Sequence, residues 1–198
     1  MRAWPLGLLL LSFAVEAEEA PPPPSLPPIK VTLLDESISL PSLDRLFTGF
    51  NPGAELGSEL IWLRRPGHLL FQALDLGFIH HPGFASWAFL TTALGYRPTL
   101  VAGLFLEVSL GLGYLASFLD APRYSAQDGT FRAAPGPLHH LAIVASLGLG
   151  YRLGAFEPFL GYGLLVELPF IPATTIVVAH QLLQVGLRIA LPLGGGTP

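Results

Sequence analysis

From Ala102 to Phe118 the chain holds a two-residue period without a break, and this constrains the fold more than any other feature. Ala102, Leu104, Leu106, Val108, Leu110, Leu112, Tyr114, Ala116 and Phe118 fall on one face, and Gly103, Phe105, Glu107, Ser109, Gly111, Gly113, Leu115 and Ser117 on the other. A helix repeats every 3.6 residues and has no reason to sort residues in this way, whereas a strand sends successive side chains to opposite faces.

The same sorting recurs along the chain. Leu141, Ile143, Ala145, Leu147, Leu149, Tyr151 and Leu153 oppose His140, Ser146, Gly148, Gly150 and Arg152. Leu160, Tyr162, Leu164, Val166 and Leu168 oppose Glu157, Gly161, Gly163 and Glu167, and Leu183, Val185, Leu187, Ile189 and Leu191 oppose His180, Gln184, Gly186 and Arg188. Shorter versions place Glu55, Gly57 and Glu59 against Leu56, Leu60 and Trp62, then Ala73, Asp75 and Gly77 against Leu74, Leu76 and Phe78. Thr91, Ala93, Gly95 and Arg97 likewise oppose Leu90, Leu94 and Tyr96. Each of these seven segments is long enough to cross a bilayer as a tilted strand.

Composition decides which face is wet. Only 12% of the residues are charged and 51% are hydrophobic, against roughly 25% charged in soluble domains. So apolar a chain has no need to stay disordered. With no cysteine, disulfide scaffolds, thiolate metal sites, a cysteine nucleophile and a thiol lipid anchor are excluded, and a net charge of -4 gives no footprint for nucleic acid. A glycine-rich polar face makes a poor solvent surface but suits a narrow lumen, while a continuous Leu/Val/Ile face ending at Tyr96, Tyr114 or Tyr151 suits lipid with an aromatic girdle. Unpaired strand edges are not tolerated in hydrocarbon, so the sheet must close. The expected fold is all-β, a transmembrane antiparallel up-and-down barrel. Hydropathy without periodicity supports a rival, a polytopic helical inner-membrane protein, since Thr99 to Leu119 carries a single charge.

The N-terminus has one early cation, Arg2, then an apolar run from Leu6 to Val15 and a small residue at Ala17, the pattern of a secretory signal peptide over residues 1–17. Residues 18–28, with prolines at 21–24, 27 and 28, read as an extended periplasmic leader. The barrel is expected over 29–191, followed by a Gly-rich tail over 192–198. Arg65-Pro66-Gly67, Arg97-Pro98-Thr99 and Gly154-Ala155 read as tight turns, and they alternate with the longer connections His80 to Gly83, Asp120 to Pro137 and Pro169 to Thr175. Short periplasmic turns and longer outer loops give the orientation. With both termini on the periplasmic side the strand number is even, so an eighth strand is required near residues 29–40. There Ile29, Val31 and Leu33 alternate and the register is expected to slip around Asp35. Leu40, Leu43, Leu46, Phe47 and Phe50 suggest a short helix over 42–50 that plugs or clamps the barrel.

Phe50-Asn51-Pro52-Gly53-Ala54-Glu55-Leu56-Gly57, Leu70-Phe71-Gln72, Leu76-Gly77-Phe78, Leu94-Gly95-Tyr96-Arg97 and Leu147-Gly148-Leu149-Gly150-Tyr151-Arg152 together resemble an uncharacterised family of small eight-stranded bacterial outer-membrane β-barrel proteins. The resemblance covers about residues 50 to 191 and implies the outer membrane of a Gram-negative envelope. It also implies membrane lipid and lipopolysaccharide as partners, and handling by the barrel-assembly machinery. The chain departs from such barrels in ending Leu191-Pro192-Leu193 where many carry a terminal aromatic residue.

An eight-stranded lumen is filled by side chains or holds one small ligand, so no open pore is expected. Glu59, Asp75, Arg97, Glu107, Arg152, Glu167 and Arg188, with Glu55 and Glu157 beside them, are expected as an ion-pair network joining strands. No cofactor is implied. His140, Glu167 and His180 fall on three successive strands near the outer end, where two imidazoles and a carboxylate suit a metal ion or acid–base work, and Ser146 lies deeper on the His140 strand. The pairs His80-His81 and His139-His140 read as polar cover at strand ends. Some small outer-membrane barrels modify lipid A with His and Ser at the lipid-facing rim. His80 near Ser86 is the nearest equivalent here, although no His-x-Ser spacing is present.

Overall fold

A computed structural model describes residues 25–38, 49–122, 124–127, 129–133, 136–169 and 178–192. The alternating segments become strands because their β-branched, leucine and aromatic side chains fit a pleated sheet with one face in an apolar medium. Eight long strands close on themselves: β1 (Ser25–Ile38), β2 (Pro52–Arg65), β3 (His68–His81), β4 (Ala85–Val101), β5 (Leu104–Leu119), β8 (Leu138–Tyr151), β9 (Phe156–Pro169) and β10 (Val178–Pro192). All neighbours are antiparallel, and β1 pairs with β10 to seal the barrel. A small hairpin, β6 (Tyr124–Gln127) and β7 (Thr130–Ala133), stands apart within the long connection from β5 to β8.

The eighth strand inferred from parity is thus β1. It begins at Ser25, inside the stretch read as leader, and its register irregularity lies between Leu26 and Ile29 rather than around Asp35. The prolines at 27 and 28 explain the shift, because proline has no N–H for the ladder. Alternation then continues unbroken, so Lys30, Thr32, Leu34 and Glu36 share the inner face. Arg97-Pro98-Thr99 is not a turn. β4 runs on to Val101, and the reversal falls at Ala102 and Gly103, both with positive φ (46° and 85°), as a two-residue hairpin requires. Arg97 is thereby held in a strand and faces the lumen.

The helical inner-membrane alternative is overturned. Every regular element among the described residues is a strand, and no helix is long and apolar enough to cross a membrane. Residues 1–17, most of the leader, residues 42–48 of the proposed helix and the tail beyond Pro192 lie outside the described residues. Gly49 and Phe50 belong to no regular element.

The wall separates two environments. Its exterior is a near-continuous apolar sheet, with Leu33, Leu76 and Leu110 each 60–65% exposed. Water has no use for such a surface, whereas lipid tails do. The interior is not uniformly polar. Leu34, Ile79, Ala85, Trp87, Phe89, Leu115, Ala142, Leu165 and Leu182 form an apolar cluster within the lumen, toward the end bearing the longer loops.

Candidate functional site

Charged side chains meet inside the barrel in three groups, stacked from the short-turn end to the loop end. The lowest is a cross-brace. Arg97 of β4 donates through Nη2 to both oxygens of Glu59 (2.7 and 2.8 Å) and through Nε to Glu107 (2.8 Å). Its Nη1 reaches Glu157 at 3.4 Å. Arg188 of β10 donates through Nε to Glu59 at 2.5 Å and through Nη2 to both oxygens of Glu107 at 2.6 Å. Arg152, more exposed, closes the group on Glu157 at 2.8 Å. Three guanidinium groups therefore balance three carboxylates. The planar fork of arginine suits such multiple contacts in a way that lysine does not.

Phenylalanine and glycine build the floor for this brace. Phe71, Phe105 and Phe159 lie directly across the ladder from Gly95, Gly150 and Gly186. A Cβ at those glycines would stand 2.1–2.3 Å from the facing ring, so the ring occupies the place of a side chain. Phe89 sits on Gly77 in the same way. The rings in turn carry the cations, with Arg97 4.6 Å from the Phe71 centroid and Arg188 4.2 Å from that of Phe159.

In the middle group Lys30 of β1 bridges Glu55 (3.0 Å) and Asp75 (2.8 Å), and Ser109 pairs with Ser146 at 2.7 Å. These residues line a cavity of about 50 Å³ that Arg188 also borders, and the Nη1 of Arg188 has no hydrogen-bond partner there. At about 10–15 Å³ per water this space has room for a few waters only, far below the roughly 300 Å³ of a typical small-molecule site.

The third group lies toward the end bearing the longer loops and is a chain of alternating imidazoles and carboxylates. His81 Nδ1 meets Glu36 at 3.0 Å, and the other Glu36 oxygen meets His180 Nδ1 at 2.8 Å. His180 Nε2 meets Glu167 at 2.6 Å, and the second Glu167 oxygen stands 3.5 Å from His140 Nε2 and 3.4 Å from the Ser117 hydroxyl. Trp87 packs edge-on to His180, with centroids 4.7 Å apart. A neutral imidazole has one N–H, so filling both His180 contacts takes the doubly protonated ring or a protonated carboxyl.

The polar residues picked out by alternation divide among the three groups. Glu59, Arg97, Glu107, Arg152 and Arg188 form the cross-brace. Asp75 instead belongs to the middle group and Glu167 to the upper one, with apolar side chains between them. His140, Glu167 and His180 do share one cluster, but both ring nitrogens of His180 are occupied by carboxylates. Among the described residues no three His, Asp or Glu side chains are arranged to hold a metal ion. Lys30 and Glu36 enter the site without having been singled out, and His81, read as polar cover, joins it through Glu36. For Lys30 and Glu36 the signal was the period of β1 itself: Lys30 falls between the alternating Ile29 and Val31, and Glu36 was hidden by the expected slip at Asp35.

The paired histidines split between the two sides of the wall. His81 and His140 turn inward, while His80 and His139 turn outward, where His80 Nδ1 lies 2.9 Å from Ser86 and His139 is hydrogen-bonded to Tyr114. At the short-turn end the exterior His68 pairs with Tyr96 at 2.6 Å. Tyr96 and Ser86 are ten positions apart on β4. At about 3.3 Å per residue and a tilt of about 40°, these outward polar pairs bracket a band about 25 Å tall, the height expected of an apolar girdle.

This geometry has solved counterparts. Neisserial surface protein A matches with a TM-score of 0.54 at 13% identity, covering 82% of this chain and 94% of that one. Ail, the attachment invasion locus protein of Yersinia pestis, matches with a TM-score of 0.50 at 10% identity, covering 83% and 97%. The fold is that of a small outer-membrane barrel. No protein-family model and no curated protein matches the chain.

Proposed function

We propose that the protein is a closed barrel of the bacterial outer membrane that conducts nothing through its lumen and acts through its lipid-facing wall and outer loops, in a structural or lipid-interacting role. The observation that carries this reading is the cross-brace. Arg97 and Arg188 reach from β4 and β10 to carboxylates on β2 and β5, so side chains from both sides of the barrel meet across its bore. The apolar cluster above it adds a second block. Likeness to a surface protein and to an attachment protein supports an envelope address, with residues 1–17 removed on export. Reconstitution into planar bilayers tests the reading. The expected trace is flat at all voltages, and steady single-channel steps from the unaltered protein overturn it.

One exterior contact favours a second reading, a lipid A-modifying acyl hydrolase or transferase. His80 and Ser86 are adjacent across the ladder and hydrogen-bonded on the apolar side near the outer rim, the pairing a hydroxyl nucleophile needs from a base. Mass spectrometry of lipid A from cells with and without the protein separates the two. Identical acyl patterns support the non-enzymatic barrel. An acyl change that disappears in Ser86→Ala establishes the enzyme.

A further inference from the structure

The lipid face of β2, β3 and β4 has a polar spot where none is needed for the barrel itself. Gln72 points outward between Leu70 and Leu74, and its amide donates to the Thr92 hydroxyl at 2.9 Å, which passes its own hydrogen to the Ala73 carbonyl at 3.0 Å. The Gln72 carbonyl oxygen and the Ser58 hydroxyl, one strand over on the same face, make no hydrogen bond among the described residues. Gln72 is four residues from His68 and Thr92 six from Ser86, which places the spot about 10 Å and about 15 Å inside the two polar edges of the girdle. An amide carbonyl facing hydrocarbon at that depth has no water to turn to. It differs in this from the exterior histidines, which sit at the edges.

We propose that this face is the interface of a homodimer, in which Gln72 of one copy pairs with Gln72 of the other. A carboxamide has one acceptor and, after the bond to Thr92, one spare N–H, so it is complementary to itself. A two-fold axis beside Gln72 gives two reciprocal hydrogen bonds and brings the Leu74 side chains, each 57% exposed, against each other. A second copy is favoured over an unrelated partner because the donor and the acceptor left open are the two that an identical residue supplies. Apolar partners satisfy neither.

The absence of native cysteine makes the test direct. Leu74→Cys and, on β9 four strands away around the barrel, Leu160→Cys are each reconstituted as full chains in phospholipid vesicles and treated with a short thiol crosslinker. The expected result is a covalent dimer for Leu74→Cys and monomer for Leu160→Cys. Adding Gln72→Leu to Leu74→Cys should lower the crosslinked fraction about tenfold, the scale of two lipid-buried polar contacts. Retained heat-modifiable migration on gels shows that this double variant is folded. Equal crosslinking at positions 74 and 160, or crosslinking indifferent to Gln72→Leu, overturns the proposal.

Discussion

Each lumen arginine is held by contacts that only its own geometry satisfies, and the carboxylates around it depend on it in turn. Glu59 is 1% exposed and accepts from both Arg97 and Arg188. Removing one cation leaves buried negative charge unpaired, a change costing about 3–5 kcal/mol. Arg97→Ala is therefore expected to unfold at markedly lower urea in vesicles, whereas Arg152→Ala, at the exposed rim, should change stability by less than about 1 kcal/mol. The glycines opposite the phenylalanines are equally specific. Gly95→Ala drives a methyl into the Phe71 ring at 2.1 Å and through it disturbs Arg97. A loss of about 1–3 kcal/mol in the same urea titration is expected for this overpacking.

At the scale of the element, Ala102 occupies a left-handed conformation that its Cβ resists by about 1–2 kcal/mol. Ala102→Gly relieves that strain at some cost in unfolded-chain entropy. A net gain of about 0.5–1 kcal/mol is expected, read as a shift of the urea midpoint to higher concentration. This same turn marks where the sequence is hard to read. Pro98 looks like a turn residue, yet its missing N–H is tolerated in β4, and the true reversal falls at Ala102-Gly103, where the glycine alone signals a turn. The strands themselves were legible because period two survives any neighbour. Which residues meet across the lumen was not, because the shear of a closed barrel sets which heights coincide. Lys30 reaching Asp75 and His180 reaching Glu36 are products of closure rather than of local spacing. The Phe–Gly seats were visible only as glycines in the pattern, since their partners are assigned by register.

At the scale of the molecule, charge is compartmented. The lower group balances three arginines against three glutamates, the middle sets one lysine against two carboxylates, and the upper answers two glutamates with imidazoles. A chain that fills its bore in this way should show the heat-modifiable migration of a stable barrel and a β-type circular dichroism spectrum. A predominantly helical spectrum contradicts the fold.

The seam between β1 and β10 has a consequence for how such a chain is made. Arg188 and His180, both on the last strand, are the partners of Glu59, Glu107, Glu36 and Glu167 on strands synthesised earlier. Until the final strand docks, those acids have only part of their counter-charge, from Arg97, His81 and His140 on earlier strands. A last strand seated one residue out of step sends Arg188 and His180 to the lipid side and turns Leu187 or Ile189 toward the acids. The ion pairs of the bore thus serve as a proof of registration, met only once, when the ring shuts in its correct alignment.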